Sequence, residues 1–276
     1  MGLLVNQITV FLAIQLTFSY SWARVLGLPR PDAQGLFFKE TLPEITQVFK
    51  HDSVVLHCQV GGMEPTIHWL KDGVRIEQGD NHDYRNDQTE YENPGSVFGK
   101  SFTASKLYLD CVNDDMEGVY TCIGETPTAR ISQDTTLVQK HPSDEFSETS
   151  IDEFSHRSCL EKRSMRNRAA RIYLWTSLRL EVIGEAVQLY CRAEGVPTPQ
   201  VSWLDKRGRE IPLENEHFKI LENGDLLIKQ LKWGQMGSYE CQASNRKGSD
   251  SQNIFIYPMK VSIFSSSFLC IFVKQR

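Results

Sequence analysis

Two stretches of the chain alternate between side chains that suit a buried face and side chains that suit an exposed one. The buried set is Val54, Leu56 and Cys58 in the first stretch, and Val187, Leu189 and Cys191 in the second. A repeat of two residues is the period of an extended chain. Both stretches therefore predict β-strands with one buried face, and both place a cysteine on that face.

The same order of landmark residues follows each of these strands. A tryptophan comes 11 or 12 residues after the strand cysteine, and a tyrosine then stands two residues before another cysteine. The landmarks are Cys58, Trp69, Tyr120 and Cys122 in the first unit, and Cys191, Trp203, Tyr239 and Cys241 in the second. Because the order occurs twice in one chain, we interpret it as a structural framework.

This order resembles the immunoglobulin fold, and the resemblance implies an all-β protein with two immunoglobulin-like β-sandwich domains in tandem, of the I-set or C2 type. In that fold two cysteines bridge the opposed sheets, a tryptophan packs on the bridge, and a tyrosine hydroxyl bonds to upstream backbone at a strand corner. The resemblance therefore implies the disulfides Cys58–Cys122 and Cys191–Cys241. It also implies core positions for Trp69 and Trp203 and tyrosine corners at Tyr120 and Tyr239.

The second unit carries more of the I-set pattern than the first. Its stretches AEGVPTPQVSW, NGDLLI and CQASNRKG all resemble that set. Both units depart from it where the family commonly has an aspartate, six residues before the second cysteine. This chain has Met116 and Gln235 there, so a corner salt bridge is not expected. The first unit is longer in its middle, where the polar residues 77–100 predict a surface loop.

We place the first domain at residues 42–139 and the second at residues 170–258. The linker between them, residues 140–169, has an acidic part followed by a basic part. A solvated, flexible connector is the simplest interpretation of segregated charge. Two alternatives stay open: a basic patch that binds heparan-type glycans, and an Arg-x-x-Arg processing site at Arg163–Arg166.

Residues 1–23 have the pattern of a signal peptide, with an apolar stretch from Ile8 to Phe18 and small residues at the expected cleavage site. The stretch is shorter than the roughly 20 residues that span a bilayer. We therefore predict a secreted, extracellular protein. An oxidising compartment favours disulfides over metal or thiol chemistry, and the net charge of −5 gives no strong field for nucleic acid.

Two cysteines remain in the domains and linker beyond the four framework residues. Cys111 follows a predicted strand of the first domain, and Cys159 lies in the linker. Free thiols are the alternative, but they are disfavoured outside the cell. We predict a third bridge, Cys111–Cys159, that attaches the linker to the lower end of the first domain. Cys270 is then the odd cysteine, in an atypical tail at residues 259–276.

The sequence offers no catalytic constellation, and we predict that the chain is not an enzyme. It has no glycine-rich phosphate loop and no zinc-ligand spacing, so no cofactor or metal is expected. His57 and His68 alternate with inward residues, so both should face solvent on strands of opposite sheets. A binding module is the remaining class, and the unpaired edges of its sheets could accept a partner strand.

The whole arrangement resembles the small secreted two-immunoglobulin proteins of invertebrates. The signal peptide, the two domains, the cysteine-bearing linker, RIYLWTS before the second domain and FIYP at its end all fit this family. It contains the zig (zwei-immunoglobulin) proteins of nematodes and the insect insulin-binding neural/ectodermal development factor. The resemblance covers residues 45–258.

The resemblance implies two roles, both of which are protein–protein contacts. The first is to maintain the position of neurons or axons, and the second is to sequester insulin-like peptides. A structural matrix component is a further alternative from another class. The residues that bind the ligand stay open at this point.

The tail yields a first prediction. Because the domain pattern stops after Pro258, a chain that ends near Met259 should fold and be secreted like the full chain. Secretion from cultured cells, followed by immunoblot of medium and lysate, checks this. Loss of secretion on truncation, or release of the full-length form from cells by a phospholipase, would contradict it.

Overall fold

The computed structural model of the protein describes residues 35–79, 99–140, 159 and 167–260. The predicted signal peptide, the tail after Lys260 and nearly all of the linker lie outside the described residues. So does most of the predicted surface loop at residues 77–100. No helix among the described residues is long and apolar enough to cross a membrane.

The described chain folds into two β-sandwiches, which confirms the predicted all-β class. The strands of domain 1 are β1 Phe37–Phe38, β2 Ile45–Phe49, β3 Val54–Gly62, β4 Thr66–Lys71, β5 Val74–Ile76, β6 Lys100–Leu109, β7 Gly118–Glu125 and β8 Arg130–Lys140. The strands of domain 2 are β9 Arg168–Val182, β10 Val187–Leu189, β11 Cys191–Val196, β12 Gln200–Leu204, β13 Phe218–Ile220, β14 Leu226–Ile228, β15 Gly237–Asn245 and β16 Gly248–Met259.

The strands of domain 1 begin a little before residue 42, where the sequence pattern places the domain start. The additional strand β1 pairs with β3, and Leu36 just before it is 1% exposed in the core. At the other junction β9 begins at Arg168, two residues before the predicted start of domain 2.

Domain 1 packs a sheet in the order β1-β3-β6 against a sheet in the order β2-β8-β7-β4-β5. A disulfide between Cys58 and Cys122 joins them, with the Cα atoms 6.5 Å apart. Trp69 is fully buried, and its indole Nε1 donates to Ser105 Oγ at 3.0 Å. The hydroxyl of Tyr120 donates to the Met116 carbonyl at 2.8 Å, which is the geometry of a tyrosine corner.

Domain 2 repeats this construction around Cys191 and Cys241, which are joined by a disulfide with the Cα atoms 6.5 Å apart. Trp203 is fully buried and donates from Nε1 to the Gly224 carbonyl at 2.8 Å. Tyr239 donates to the Gln235 carbonyl at 3.0 Å. Met116 and Gln235 stand where the family commonly has an aspartate, and the carbonyl of each accepts the hydrogen bond from the corner tyrosine of its own domain.

A buried ion pair lies in the core of domain 2, away from the corner. Asp225 is fully buried and Arg192 is 4% exposed. The guanidinium donates from Nε to Asp225 Oδ1 at 2.9 Å and from a terminal nitrogen to Oδ2 at 2.8 Å. The Cys191 amide and the Gln188 side chain donate to the same carboxylate at 3.0 and 2.8 Å. Four donors offset the cost of burying this charge.

The two domains share one sheet, because β6 of domain 1 pairs antiparallel with β9 of domain 2. Strand β9 also pairs with β16 in parallel and with β11. The result is an eight-stranded sheet in the order β1-β3-β6-β9-β16-β15-β12, with β11 beside β9. The edge at β6, which could have accepted a strand of another protein, is therefore already paired with β9 of the same chain.

The sequence of β9 explains why it lies between the domains. Its centre, Ile172 to Trp175, is a run of four consecutive apolar residues, all at most 7% exposed. Leu174 packs in the core of domain 1, whereas Ile172 and Trp175 pack in the core of domain 2. A strand that is buried on both faces has a continuous apolar sequence rather than an alternating one.

Polar contacts also join β9 to the end of β6. The guanidinium of Arg171 binds both carboxylate oxygens of Asp110, at 2.6 and 3.2 Å, and lies 5.0 Å from the ring centroid of Tyr108. The Tyr108 hydroxyl donates to the Ile172 carbonyl at 3.2 Å. Burial raises the pKa of Tyr108 to about 12, so this hydroxyl keeps its proton and remains a donor at neutral pH.

A third disulfide joins Cys111 to Cys159, with the Cα atoms 5.3 Å apart. Both cysteines are at most 5% exposed. Cys111 adopts the left-handed backbone conformation, with φ of 57°, and its amide donates to Ser53 Oγ at 3.4 Å. The bridge attaches this point of the linker to the end of domain 1 where β6 finishes.

The prediction that His68 faces solvent is wrong. Its side chain is 12% exposed, on β4, and its Nδ1 lies 3.4 Å from Glu125 Oε1. Burial lowers the pKa of His68 below its ordinary value of 6.5, with Glu125 acting in the opposite direction and Arg75 and Arg130 adding to the decrease. The alternation rule fails here because the outward face of the five-stranded sheet is itself partly covered, as Ile123 beside His68 on β7 is only 2% exposed.

This burial predicts a pH dependence of stability. Below pH 6.5 the unfolded chain binds a proton at residue 68 that the folded chain resists. The contribution of His68 to the free energy of unfolding should therefore fall as the pH drops from 6.5 through the lowered pKa. Urea unfolding of the wild type and of His68→Gln between neutral and acidic pH measures it. An equal pH dependence in both proteins would contradict the prediction.

Candidate protein-interaction surface

The outer face of the eight-stranded sheet carries a row of apolar side chains that crosses both domains. Directly opposite positions on neighbouring strands connect Phe37 to Gly61, Gly61 to Phe102, Phe102 to Leu178 and Leu178 to Phe255. We call Phe37, Phe102, Leu178 and Phe255 the apolar row. It spans four strand spacings of roughly 4.8 Å each, or about 19 Å.

Gly61 on β3 allows the side chains of Phe37 and Phe102, on the strands to either side, to contact each other. A Cβ atom on Gly61 would lie 2.5 Å from Phe37 Cζ and 2.8 Å from Phe102 Cε1, inside van der Waals contact. The missing side chain allows the two rings to meet edge to face, with centroids 5.6 Å apart and planes at 84°. This is a favoured geometry for an aromatic pair, so Phe37 is held on the sheet although β1 is only two residues long.

A second tier of apolar groups follows on the same face, one step along the strands. Leu180 stands opposite Tyr257, and the Tyr257 ring meets the Trp233 ring in a T-shaped contact with centroids 6.1 Å apart. Trp233 is 44% exposed and Phe255 is 42% exposed. Aromatic side chains that remain this accessible are the residue type enriched at protein–protein interfaces.

Polar side chains border the apolar row along the interdomain junction. His57, predicted to face solvent, is half-buried and stacks on Trp175, with ring centroids 5.9 Å apart. Lys106 Nζ lies 5.2 Å from the centroid of the same indole. Gln59 Nε2 donates to Ser177 Oγ at 2.5 Å, which in turn donates to the Phe102 carbonyl at 3.2 Å. Trp175 is thereby covered, at 6% exposed, whereas Val55 on the same face of β3 is 47% exposed.

Buried charges fix the strand beneath the row. Arg179 and Glu181 point to the opposite face of β9, are at most 2% exposed, and form an ion pair at 2.5 Å. Arg179 also pairs with Glu64 of domain 1. Burial raises the pKa of Glu64 despite the attraction of Arg179. Glu181 additionally accepts a hydrogen bond from the Val182 amide at 2.7 Å, so this end of β9 has little freedom to move.

The chemistry of this surface is that of protein recognition. Exposed aromatic groups over a rigid sheet, with cationic and amide groups at the margin, match the anchor-and-rim arrangement of protein interfaces. Within the described ranges, no three His, Cys, Asp or Glu side chains are grouped so that they could hold a metal ion.

The landmark residues of the sequence do not lie on this surface. The six cysteines of the disulfides, the two tryptophans and the two corner tyrosines are all buried. The row could not be recognised in the sequence, because its members lie on four strands far apart in the chain. The unbroken apolar run of β9 indicates a strand buried on both faces, but the strand that pairs with it could not be deduced from the sequence.

Models of two immunoglobulin families match this chain. The immunoglobulin I-set domain matches residues 179–256, and a second immunoglobulin domain model matches residues 40–125. The fold and both matches define a tandem immunoglobulin-domain protein.

Two related proteins identify the family within this class. The zwei Ig domain protein zig-4 of Caenorhabditis elegans is 32% identical over 194 residues, which are 70% of this chain and 68% of that protein. The neural/ectodermal development factor IMP-L2 of Drosophila melanogaster is 29% identical over 229 residues, which are 83% of this chain and 78% of that protein. The chain belongs to this family of two-immunoglobulin-domain proteins, as its sequence resemblance predicts.

A solved structure supports the same conclusion. The crystal structure of IMP-L2 matches with a TM-score of 0.59 and 25% identity, over 82% of this chain and 95% of that one. The similarity therefore extends across both domains rather than one of them.

Proposed function

We propose that the chain is a secreted extracellular binding protein that maintains the position of neurons or axons by occupying a partner protein. The observation that carries this proposal is the apolar row, because it exposes aromatic anchors on a surface built jointly by both domains. The similarity to zig-4 and to a neural/ectodermal development factor supports a role in the nervous system.

The apolar row and the charges around it indicate which chemical groups a partner surface must carry. A standard interface covers about 800 Å² on each side and derives most of its binding energy from a few buried aromatic groups. Phe255 and Trp233 are the accessible aromatic anchors, and Lys39, whose Nζ lies 5.8 Å from the Phe102 ring centroid, is one of the cations at the margin. A neuronal surface protein with an apolar centre and an acidic rim would complement this arrangement.

A second candidate function is the sequestration of insulin-like peptides, which the family resemblance implies. The length of the row favours it over a matrix role. A span of about 19 Å accommodates one α-helix, about 10 Å in diameter with its side chains, together with flanking residues. A small folded peptide with an exposed apolar helix would therefore fill the row without reaching the rest of the surface.

Charge placed in the row should abolish partner binding while leaving the fold intact. We expect Phe255→Lys to weaken binding to neurons by at least about tenfold, since removal of a central aromatic anchor commonly costs more than 1.4 kcal/mol. Val74→Lys is the matched control, because Val74 is 71% exposed on the opposite sheet of domain 1. Quantitative staining of neurons with labelled protein is the measurement. Equal loss of staining in both variants would contradict the proposal that the apolar row is the binding surface.

Calorimetry against a panel of insulin-like peptides separates the two candidate functions. Saturable binding that Phe255→Lys weakens and Val74→Lys leaves unchanged would establish the peptide function. Binding weaker than about 10 μM for every peptide would exclude it, because dilute secreted hormones would stay free. If the protein also failed to stain neurons, the binding proposal would fall and a matrix role would take its place.

A further inference from the structure

Strand β2 is an edge of the five-stranded sheet, and among the described strands it pairs only with β8. The Thr136 amide of β8 donates to the Glu44 carbonyl at 2.9 Å, just before β2 begins. Main-chain groups of successive strand residues point alternately to the two sides. Those of Thr46 and Val48 therefore point to β8, and those of Ile45, Gln47 and Phe49 point away from it, to a side on which no described strand pairs.

This edge carries none of the features that usually prevent strands from pairing between molecules. Protein edges are commonly very short, or carry lysine, proline or a bulge. Strand β2 has five residues, ITQVF, without any of these. Of the other described strands with one partner, β1, β5, β10 and β13 have only two or three residues, and β11 has six but is interrupted by two register shifts. The last strand, β12, is partly covered because the Ile211 amide donates to the Trp203 carbonyl at 2.8 Å.

The exposed side chains of β2 are apolar. Ile45 is 57% exposed and Phe49 is 50% exposed, and both lie on the outer face of the sheet. Gln47 between them is exposed on the same face. Lys140 Nζ lies 5.9 Å from the Phe49 ring centroid, and a strand placed beside β2 would remove both apolar groups further from water.

The sequence around β2 is complementary to itself in the antiparallel direction. A two-fold axis at Gln47 places Ile45 of one copy opposite Phe49 of the other, and Thr46 opposite Val48. The same register places the exposed Glu44 of one copy opposite the exposed Lys50 of the other, at both ends of the strand. Pairs of an aromatic with a β-branched residue, and of opposite charges, both stabilise antiparallel strands when directly opposed.

From this complementarity we propose that the protein forms a homodimer in which the two β2 strands pair antiparallel about Gln47. The contact is isologous, as in most protein dimers. It joins two five-stranded sheets into one continuous sheet of twice that width. The hydrogen bonds that define it run between the two Gln47 residues and from each Phe49 amide to the Ile45 carbonyl of the other copy.

Local contacts within each copy are compatible with this pairing. The Phe49 carbonyl already accepts from the Asp52 amide at 3.1 Å, so the pairing does not depend on it. Lys50 lies 3.2 Å from Asp114, but their side chains are 53% and 75% exposed. An ion pair so exposed contributes little, and Lys50 can exchange it for Glu44 of the second copy. No residue of the apolar row takes part, so a dimer presents two rows to its partners.

A charge swap tests both the dimer and its register on the full secreted chain. Sedimentation velocity over a range of concentrations should show a dimer for the wild type. Glu44→Lys or Lys50→Glu alone places like charges opposite each other twice per dimer, and each should weaken dimerisation by about tenfold. The double variant Glu44→Lys with Lys50→Glu restores opposite charges and should restore the dimer. Failure of this rescue would overturn the register.

Cross-linking gives an independent measurement. Directly opposed residues of a hydrogen-bonded antiparallel pair have Cα atoms about 5.5 Å apart, which suits a disulfide. Gln47→Cys should therefore form a covalent dimer on mild oxidation, whereas the exposed Ser132→Cys on β8 should not. A monomer at every concentration, or equal cross-linking of the two variants, would overturn the proposal. Hydrogen exchange adds a last check, because protection of the Gln47 amide in the monomer would mean that the chain itself covers this edge.

Discussion

The structure depends on the main-chain pairing of β6 with β9, which turns two sandwiches into one folded unit. Strand β9 belongs to the sequence of domain 2, yet it contributes Leu174 to the core of domain 1 and Trp175 to the core of domain 2. Because β9 is buried on both faces, separation of the domains would expose four adjacent apolar side chains to water. The pairing also continues the sheet without a break from β1 to β12.

The apolar row exists only because of this pairing. Phe37 and Phe102 belong to domain 1, Leu178 and Phe255 belong to domain 2, and the Phe102–Leu178 neighbours meet across the β6–β9 ladder. Neither domain alone would present more than two of the four side chains. A binding surface that is assembled in this way is rigid, since Arg171–Asp110 at one end of β9 and Arg179–Glu64 at the other hold the domains in one orientation.

The sequence was sufficient to predict the framework of each domain, because those features repeat locally. The alternation around Cys58 and Cys191, and the spacing of Trp and Tyr from the cysteines, each depend on one domain only. The eight-stranded sheet could not be predicted in this way, because pairing between β6 and β9 is not encoded in the period of either strand. The position of His68 was missed for a similar reason: alternation identifies the outward side chain but not what covers it.

The shared sheet also determines the angle between the two domains. In most tandem domains the connecting segment sets the angle between them, but here the ladder of β6 with β9 sets it. For a connecting segment that does not set this angle, each doubling of its length costs only about 0.6 kcal/mol in loop-closure entropy. The orientation of the two domains is therefore a property of the β6–β9 ladder and not of the length or charge of the segment attached at Cys159.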